Sequence, residues 1–369
     1  MKESKVRKKR AAALCFIFLC TAAALSALEV NHLAAFSDPA RIWGNGVERV
    51  IEEAFRACFR TRIIDGRVMN IRMPFAMNND RDLLSETRWE FVHGGKGTPD
   101  MLWPIIDDIL ASEDFARFVQ TLGNGREQVI EFDIPNRRWH SSRDHADIAR
   151  MRAGLYQGLP HRPLVLVTGG GIEEADVYNF LYSIGHVGMD CSGFVFFVLS
   201  HIARQGGLNL GNALRRVIGV PRGADPALFV GTSFFNSRNR YIDAVNDSII
   251  NLRPADVLLF RNATGGMSHA AIIQSINFEK GIIRYLQSTD EAPQYERGVH
   301  DSFIYFDPAR PYVSLNDPSL IWTKQRHAPF PGENPSPFSN DGERYRAFGG
   351  GRVVRLNILT PIIERLNRQ

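Results

Sequence analysis

Cys191 stands in Asp190-Cys191-Ser192-Gly193, directly ahead of an apolar run from Phe194 to Leu199 that continues at helical spacing to Ile202. A turn that feeds an apolar helix puts the thiol at a helix N-terminus. There the outward-pointing N–H groups and the helix dipole favour an anion. The thiolate is the nucleophilic form of cysteine, so the position favours reactivity. The backbone N–H of Cys191 is the natural donor to an oxyanion forming on an attacked carbonyl. Ser268-His269 opens an apolar, strand-like run to Ile276, and a second run from Gly281 to Leu286 delivers Gln287. Nucleophile, base and a polar group able to orient the base follow in that order, which points to a thiol hydrolase.

Each of these residues has a plainer alternative. A lone cysteine is often a buried, inert thiol, and a polar residue at a strand end often does no chemistry. His269 would take the thiol proton and return it to a leaving amine. His201 lies ten residues along the same helix as Cys191, about 15 Å away along the axis, too far to pair. His186 is nearest in sequence and is the weaker rival. Gln287 can accept from an imidazole N–H but brings no charge to stabilise an imidazolium. Ser288 is the alternative third residue.

Around these residues the pattern predicts an α+β arrangement. Helices are expected at 173–184, 191–204 and 212–217, with 226–234 a looser candidate. Strands are expected at 256–260, 269–276, 281–286 and 299–306, separated by glycine-containing turns. Residues 307–341, rich in Pro, Ser and Asn, are expected to form a surface insertion. A last strand at 352–356 is expected to return to a sheet edge. Upstream, 47–59 and 103–122 have helical spacing, 62–73, 128–134 and 164–167 are strand-like, and 144–155 is helical. Cys58 falls on the first of these helices as a structural thiol. Gly169-Gly170-Gly171 lacks the Gly-Lys-Ser/Thr ending of a phosphate loop and the spaced glycines of a dinucleotide fingerprint, so it is expected to be a turn.

Composition narrows the function classes. The first ten residues include six that are basic, residues 11–24 are apolar, and Ala24, Ser26 and Ala27 are small. This is the layout of a secretory signal peptide over residues 1–27. The alternative, a retained anchor, is disfavoured by an apolar run shorter than the about 20 residues a bilayer requires. Leu19 ahead of Cys20 disfavours a lipoprotein signal. With six basic residues against Glu3, this segment accounts for more than the chain's net +4 and leaves the rest near −1. No general case for nucleic-acid binding survives that partition. Of four cysteines, Cys15 and Cys20 lie in the leader, and the remaining pair implies no disulfide framework. His140, Asp144, His145 and Asp147 match no structural zinc spacing, and solvated polar residues account for them better.

Several stretches together resemble the NlpC/P60 family of papain-like cysteine peptidases. Asp190-Cys191-Ser192-Gly193-Phe194-Val195 is similar to its nucleophile signature. Residues 252–260 resemble its Pro-Gly-Asp-Leu-Val-Phe-Phe strand, with Ala255 in place of Gly. Residues 268–273 resemble the strand carrying its base, and 285–289 the strand carrying its third polar residue. Residues 344–348 and 352–354 resemble its closing aromatic and basic stretch. The match covers about 173–356, roughly half the chain.

The resemblance implies a papain-like domain at 161–360 with helices packed on an antiparallel sheet, preceded by an additional α/β region at 28–160. That region is either a separate binding domain or an elaboration packed on the peptidase core. It also implies Cys191 as nucleophile, His269 as base, Gln287 as orienter, and Tyr178, Asp190 and Ser192 toward the substrate. The implied substrate is a peptidoglycan stem peptide, cut between D- and L-centres by an exported protein of the periplasm or cell envelope. No cofactor, metal, nucleic acid or membrane span of the mature chain is expected. The family's Tyr followed by Trp-Gly-Gly is not reproduced, since Tyr178 is followed by Asn179-Phe180-Leu181-Tyr182. That departure bears on specificity more than on chemistry. It also keeps open a non-catalytic envelope protein that binds wall fragments or a partner. A thiol amidase or acyltransferase acting on other amides or lipids is a third alternative.

Overall fold

A computed structural model describes residues 46–76, 97–121, 128–133, 138–142, 164–167, 172, 176–177, 180–181, 187–289, 298–324 and 341–369. The chain divides into two units at Asn45/Gly46. The first, with the expected leader, lies outside the described residues, as do Tyr178, His186, the triple glycine and the helix expected at 144–155.

The second unit opens with helix α1 (Val47–Arg56). Asn367, near the far end of the chain, caps it by accepting from the Val47 N–H at 3.0 Å. Residues 62–73 are not one strand but part of a hairpin, β1 (Phe59–Ile64) and β2 (Arg67–Arg72), paired antiparallel. Asp65 and Gly66 take φ of +49° and +73° at its turn. Asp-Gly suits a two-residue turn that needs positive φ at both positions. Cys58 falls in the turn between α1 and β1, not on the helix, and is fully buried.

The stretch expected as one helix over 103–122 is two, α2 (Pro99–Leu110) and α3 (Glu113–Thr121). Ser112 ends the first and starts the second, its Oγ accepting from the Phe115 N–H at 3.2 Å. A small antiparallel sheet follows in the order β4-β3-β5, from β3 (Gln128–Asp133), β4 (Arg138–Ser142) and β5 (Leu164–Val167).

The centre of the unit is helix α4 (Cys191–Gln205), followed by α5 (Leu210–Ile218) and the short α6 (Thr232–Asn236). Seven strands then form one antiparallel sheet. They are β6 (Ile242–Val245), β7 (Val257–Arg261), β8 (Met267–Asn277), β9 (Ile282–Thr289), β10 (Gly298–Tyr305), β11 (Ile321–Lys324) and β12 (Arg352–Leu356). Their spatial order is β11-β10-β9-β8-β7-β12-β6. The last strand therefore does not lie at the edge, because β6 pairs outside it. Helices α7 (Asp341–Arg346) and α8 (Thr360–Leu366) flank it in sequence. Mixed helices and antiparallel strands make the fold α+β.

Each face of the large sheet has its own core. On one, Val257, Leu259, Ala270, Ile272 and Leu286 join Phe194, Val195 and Val198 of α4, and Val50, Ile51, Ala54 and Phe55 of α1. On the other, Leu258, Phe260, Ala271, Ile273, Ile283 and Tyr285 pack with Leu315, Leu320, Trp322 and Tyr345. The segment expected as a surface insertion thus contributes a strand and three core side chains over 307–324, and residues 325–340 lie outside the described part. The N-terminal helix shares the core of α4, so α1 is packed on the Cys191 unit.

That packing is also electrostatic. Arg284 on β9, nearly fully buried, bonds Glu52 of α1 at 2.5 Å and Asp301 of β10 at 3.0 Å. A buried guanidinium needs such partners to offset its lost hydration. Among the described residues no helix is long and apolar enough to cross a membrane.

Candidate active site

Cys191 is the first residue of α4, so the expectation of a thiol at a helix start is met. Asp190 is the N-cap, in extended conformation, and its Oδ1 accepts from the Gly193 N–H at 2.6 Å. Ser192 Oγ donates to the same oxygen at 3.1 Å, with Val230 O also within reach at 3.3 Å. Asp190 and Ser192, expected to face substrate, thus both set the first turn that presents the thiol. Of the N–H groups in this turn, that of Gly193 is taken by Asp190 Oδ1 and that of Phe194 by Asp190 O at 3.0 Å. Cys191 keeps 7% of its surface, whereas Cys58 keeps none. Burial pushes the Cys58 thiol far up, leaving it protonated and inert.

His269 owes its orientation to a β-bulge. Phe260 pairs with His269 and Arg261 with Met267, so Ser268 is the extra residue. Ser268 is exposed while His269 turns inward to 3% exposure. Bulges re-aim side chains in this way. The ring packs edge-on against Phe260, centroids 5.0 Å apart.

The next strand carries Gln287. Ala271 pairs with Gln287 across β8 and β9, which puts Gln287 on the face of His269. The two side chains meet at 2.6 Å, His269 Nε2 to Gln287 Oε1. Of the two neighbours considered for the third place, it is Gln287 that reaches the ring. Ser288 points the other way and donates to Met189 O at 2.6 Å.

Short bonds draw Cys191 and His269 to one end of the sheet. Ser288 joins the end of β9 to the segment entering α4. Val230 O lies beside Ser192, and Thr232 Oγ1 donates to Met267 O at 2.7 Å at the start of β8. Cys191 and His269 therefore stand at the same sheet end.

Two contributors were not visible in the sequence. The first is Asp341, whose Oδ2 accepts from Gln287 Nε2 and from the Tyr285 hydroxyl, both at 2.7 Å. Gln287 Nε2 also lies 3.1 Å from Ser302 Oγ and 3.3 Å from His300 Nε2. The His300 Nδ1 N–H donates to Gly298 O at 2.9 Å, which leaves its Nε2 as an acceptor. The aromatic rings of Phe260, Tyr285, Trp322 and Tyr345 wall this network from solvent. In such surroundings fully paired polar groups hold one arrangement.

The second is the segment after the hairpin. Met189 N–H donates to Pro74 O at 2.9 Å, and Val299 N–H to Met73 O at 3.0 Å. Residues 73–75 are wedged between the segment entering α4 and β10. Gly188 makes this fit: a Cβ there would sit 2.1 Å from Pro74 O.

Among the described residues no group of three or more His, Cys, Asp or Glu side chains is placed to hold a metal. The side chains of His140, Asp144, His145 and Asp147 lie outside them. Compared with family models, curated proteins and solved structures, the chain matches none.

Proposed function

We propose that the protein is an exported papain-like cysteine hydrolase of NlpC/P60 type that cleaves an amide bond in peptidoglycan stem peptides. The observation that carries the proposal is the 2.6 Å bond from His269 Nε2 to the amide oxygen of Gln287. An amide oxygen can only accept, so the imidazole proton sits on Nε2 and Nδ1 is left as the base.

In this reaction the Cys191 proton passes to His269 Nδ1. The thiolate attacks the carbonyl carbon, and the oxyanion is held by the backbone N–H of Cys191, those of Gly193 and Phe194 being bonded to Asp190. The C–N bond breaks, and the leaving amine takes the proton from the imidazolium. Water, deprotonated by the same ring, then hydrolyses the thioester and returns the thiol. Every proton has a stated place, and the cycle calls on no cofactor. The wall-peptide substrate rests on the sequence resemblance together with the leader-like residues 1–27.

Mass spectrometry of purified muropeptides tests the proposal. Wild-type protein should release new fragments whose masses name the bond, and Cys191→Ser should release none. Intact muropeptides with both proteins, while Cys191 is reduced and alkylatable, would refute the wall-peptide substrate. Cleavage by both would refute Cys191 as nucleophile.

A further inference from the structure

We infer that Asp341 is a positioning residue for His269: acting through Gln287, it selects which imidazole nitrogen carries the proton. A glutamine amide reads nearly the same in either orientation, but the two orientations have opposite consequences here. With the oxygen toward His269, the ring is protonated at Nε2 and its Nδ1 can accept. With the nitrogen toward His269, Nε2 must accept, the proton moves to Nδ1, and the nitrogen proposed to take the thiol proton is left a donor.

The partners on the far side of the amide decide between them. Ser302 lies 3.1 Å from Gln287 Nε2 and its hydroxyl can either donate or accept. His300 lies farthest, at 3.3 Å; its Nε2 accepts while the ring is neutral, a longer contact in the same sense, and becomes a donor when the ring is protonated. Asp341, at 2.7 Å, is the closest of the three, and a carboxylate can only accept. Turning the amide would set its oxygen against that carboxylate inside a buried, ring-walled site. Tyr285 fixes Asp341 in turn, donating to the same oxygen at 2.7 Å.

Asp341 also supplies the charge that Gln287 lacks. Arg344 lies 3.6 Å from its other oxygen and offsets part of that charge at the ring. Orientation is therefore the larger effect and the field the smaller one. The consequence for catalysis rests on the hydrolase proposal, but the tautomer can be measured without any substrate.

The test is ¹⁵N NMR of the histidine rings in the full chain, with His269 assigned by comparison with His269→Gln. Wild type should show His269 protonated at Nε2. Asp341→Ala should give a mixed or Nδ1-protonated ring, and alkylation of Cys191 near neutral pH should slow at least tenfold. Asp341→Asn keeps an acceptor oxygen for Gln287 and Tyr285, so it should restore the wild-type tautomer. Should the alanine variant not fold, Asp341→Ser, with a hydroxyl that can donate or accept, carries the same expectation. An Nε2-protonated His269 in a folded Asp341→Ala or Asp341→Ser variant overturns the inference. A tautomer that responds to Asp341 beside an unreactive wild-type Cys191 would sink the hydrolase proposal and leave this inference standing. A reactive Cys191 with an unresponsive tautomer would do the reverse.

Discussion

His269 and Gln287 share a buried hydrogen bond of 2.6 Å, Nε2 to Oε1, across two adjacent strands of the large sheet. The amide oxygen admits only a ring that is a donor at that nitrogen, which the Nε2-protonated neutral ring and the imidazolium both are.

Removing the amide should expose that dependence. Gln287→Ala leaves the His269 Nε2 N–H buried without its acceptor, at a cost of about 1–3 kcal/mol in stability. Activity should fall by about 10- to 100-fold, less than the 10²–10⁴ contributed by a complete general acid–base group. Steady-state cleavage together with urea unfolding measures both. Gln287→Glu should fare worse in stability, since it sets a second carboxylate against Asp341 where an N–H now donates.

Cys58 predicts a pH dependence of stability. Its thiol is pushed far above the ordinary value by burial, so the native state keeps a proton that the unfolded chain releases near the usual thiol pKa of about 8.5. The proton count is then lower in the unfolded state, and unfolding free energy falls as pH rises. The slope is about 1.4 kcal/mol per pH unit above that value, and none of it arises below. Chemical denaturation at pH 8, 9 and 10 should show this slope in wild type and lose that part of it in Cys58→Ala.

Much of the site was legible because local chemistry specifies it. The Asp-Cys-Ser-Gly turn and the apolar run from Phe194 place Cys191 on a helix start, and the apolar run after His269 places it on a strand; the capping role of Asp190, read toward substrate, came only with the fold. Asp341 was not legible. It lies 54 residues beyond Gln287 and reaches it only through the tertiary fold, at the end of a Pro-, Ser- and Asn-rich stretch with no periodicity. The break at Ser112 was hidden because apolar spacing runs through it, even though serine is a good N-cap. The hairpin carried a signal that could have found it, since Asp65-Gly66 interrupts the strand-like run at its middle. Burial of Leu315, Leu320 and Trp322 escaped because turn-rich composition marks irregular backbone, and irregular backbone can still bury side chains.

The ion pair linking α1 to the sheet should be a large stabilising feature. Glu52→Ala leaves Arg284 buried with Asp301 as its remaining carboxylate among these two, and loss of one partner of a buried pair costs about 3–5 kcal/mol. The lower end is expected, because Asp301 still offsets the charge. Thermal melts of Glu52→Ala and Glu52→Gln should rank the charge loss above the loss of shape. A change within about 0.5 kcal/mol in both would show that the pair contributes little.

Gly188 should tolerate no side chain. The Cβ of Gly188→Ala would collide with the backbone oxygen of Pro74, a group without the freedom of a side-chain end. Overpacking of this kind costs about 1–3 kcal/mol. It would also shift Met189 and hence the N-cap of α4, so Cys191 alkylation should slow alongside the fall in melting temperature. An unchanged melt with unchanged alkylation would remove the 73–75 segment from any part in placing the nucleophile.

The central claim is that His269 activates Cys191, and the most direct measurement is the rate of iodoacetamide alkylation at Cys191 against pH. Peptide mapping reads Cys191 separately from Cys58, in wild type and in His269→Ala. Wild type should react rapidly at neutral pH. His269→Ala should lose that neutral-pH reactivity and keep a single rise in rate at higher pH. Superimposable profiles for the two proteins would contradict the account.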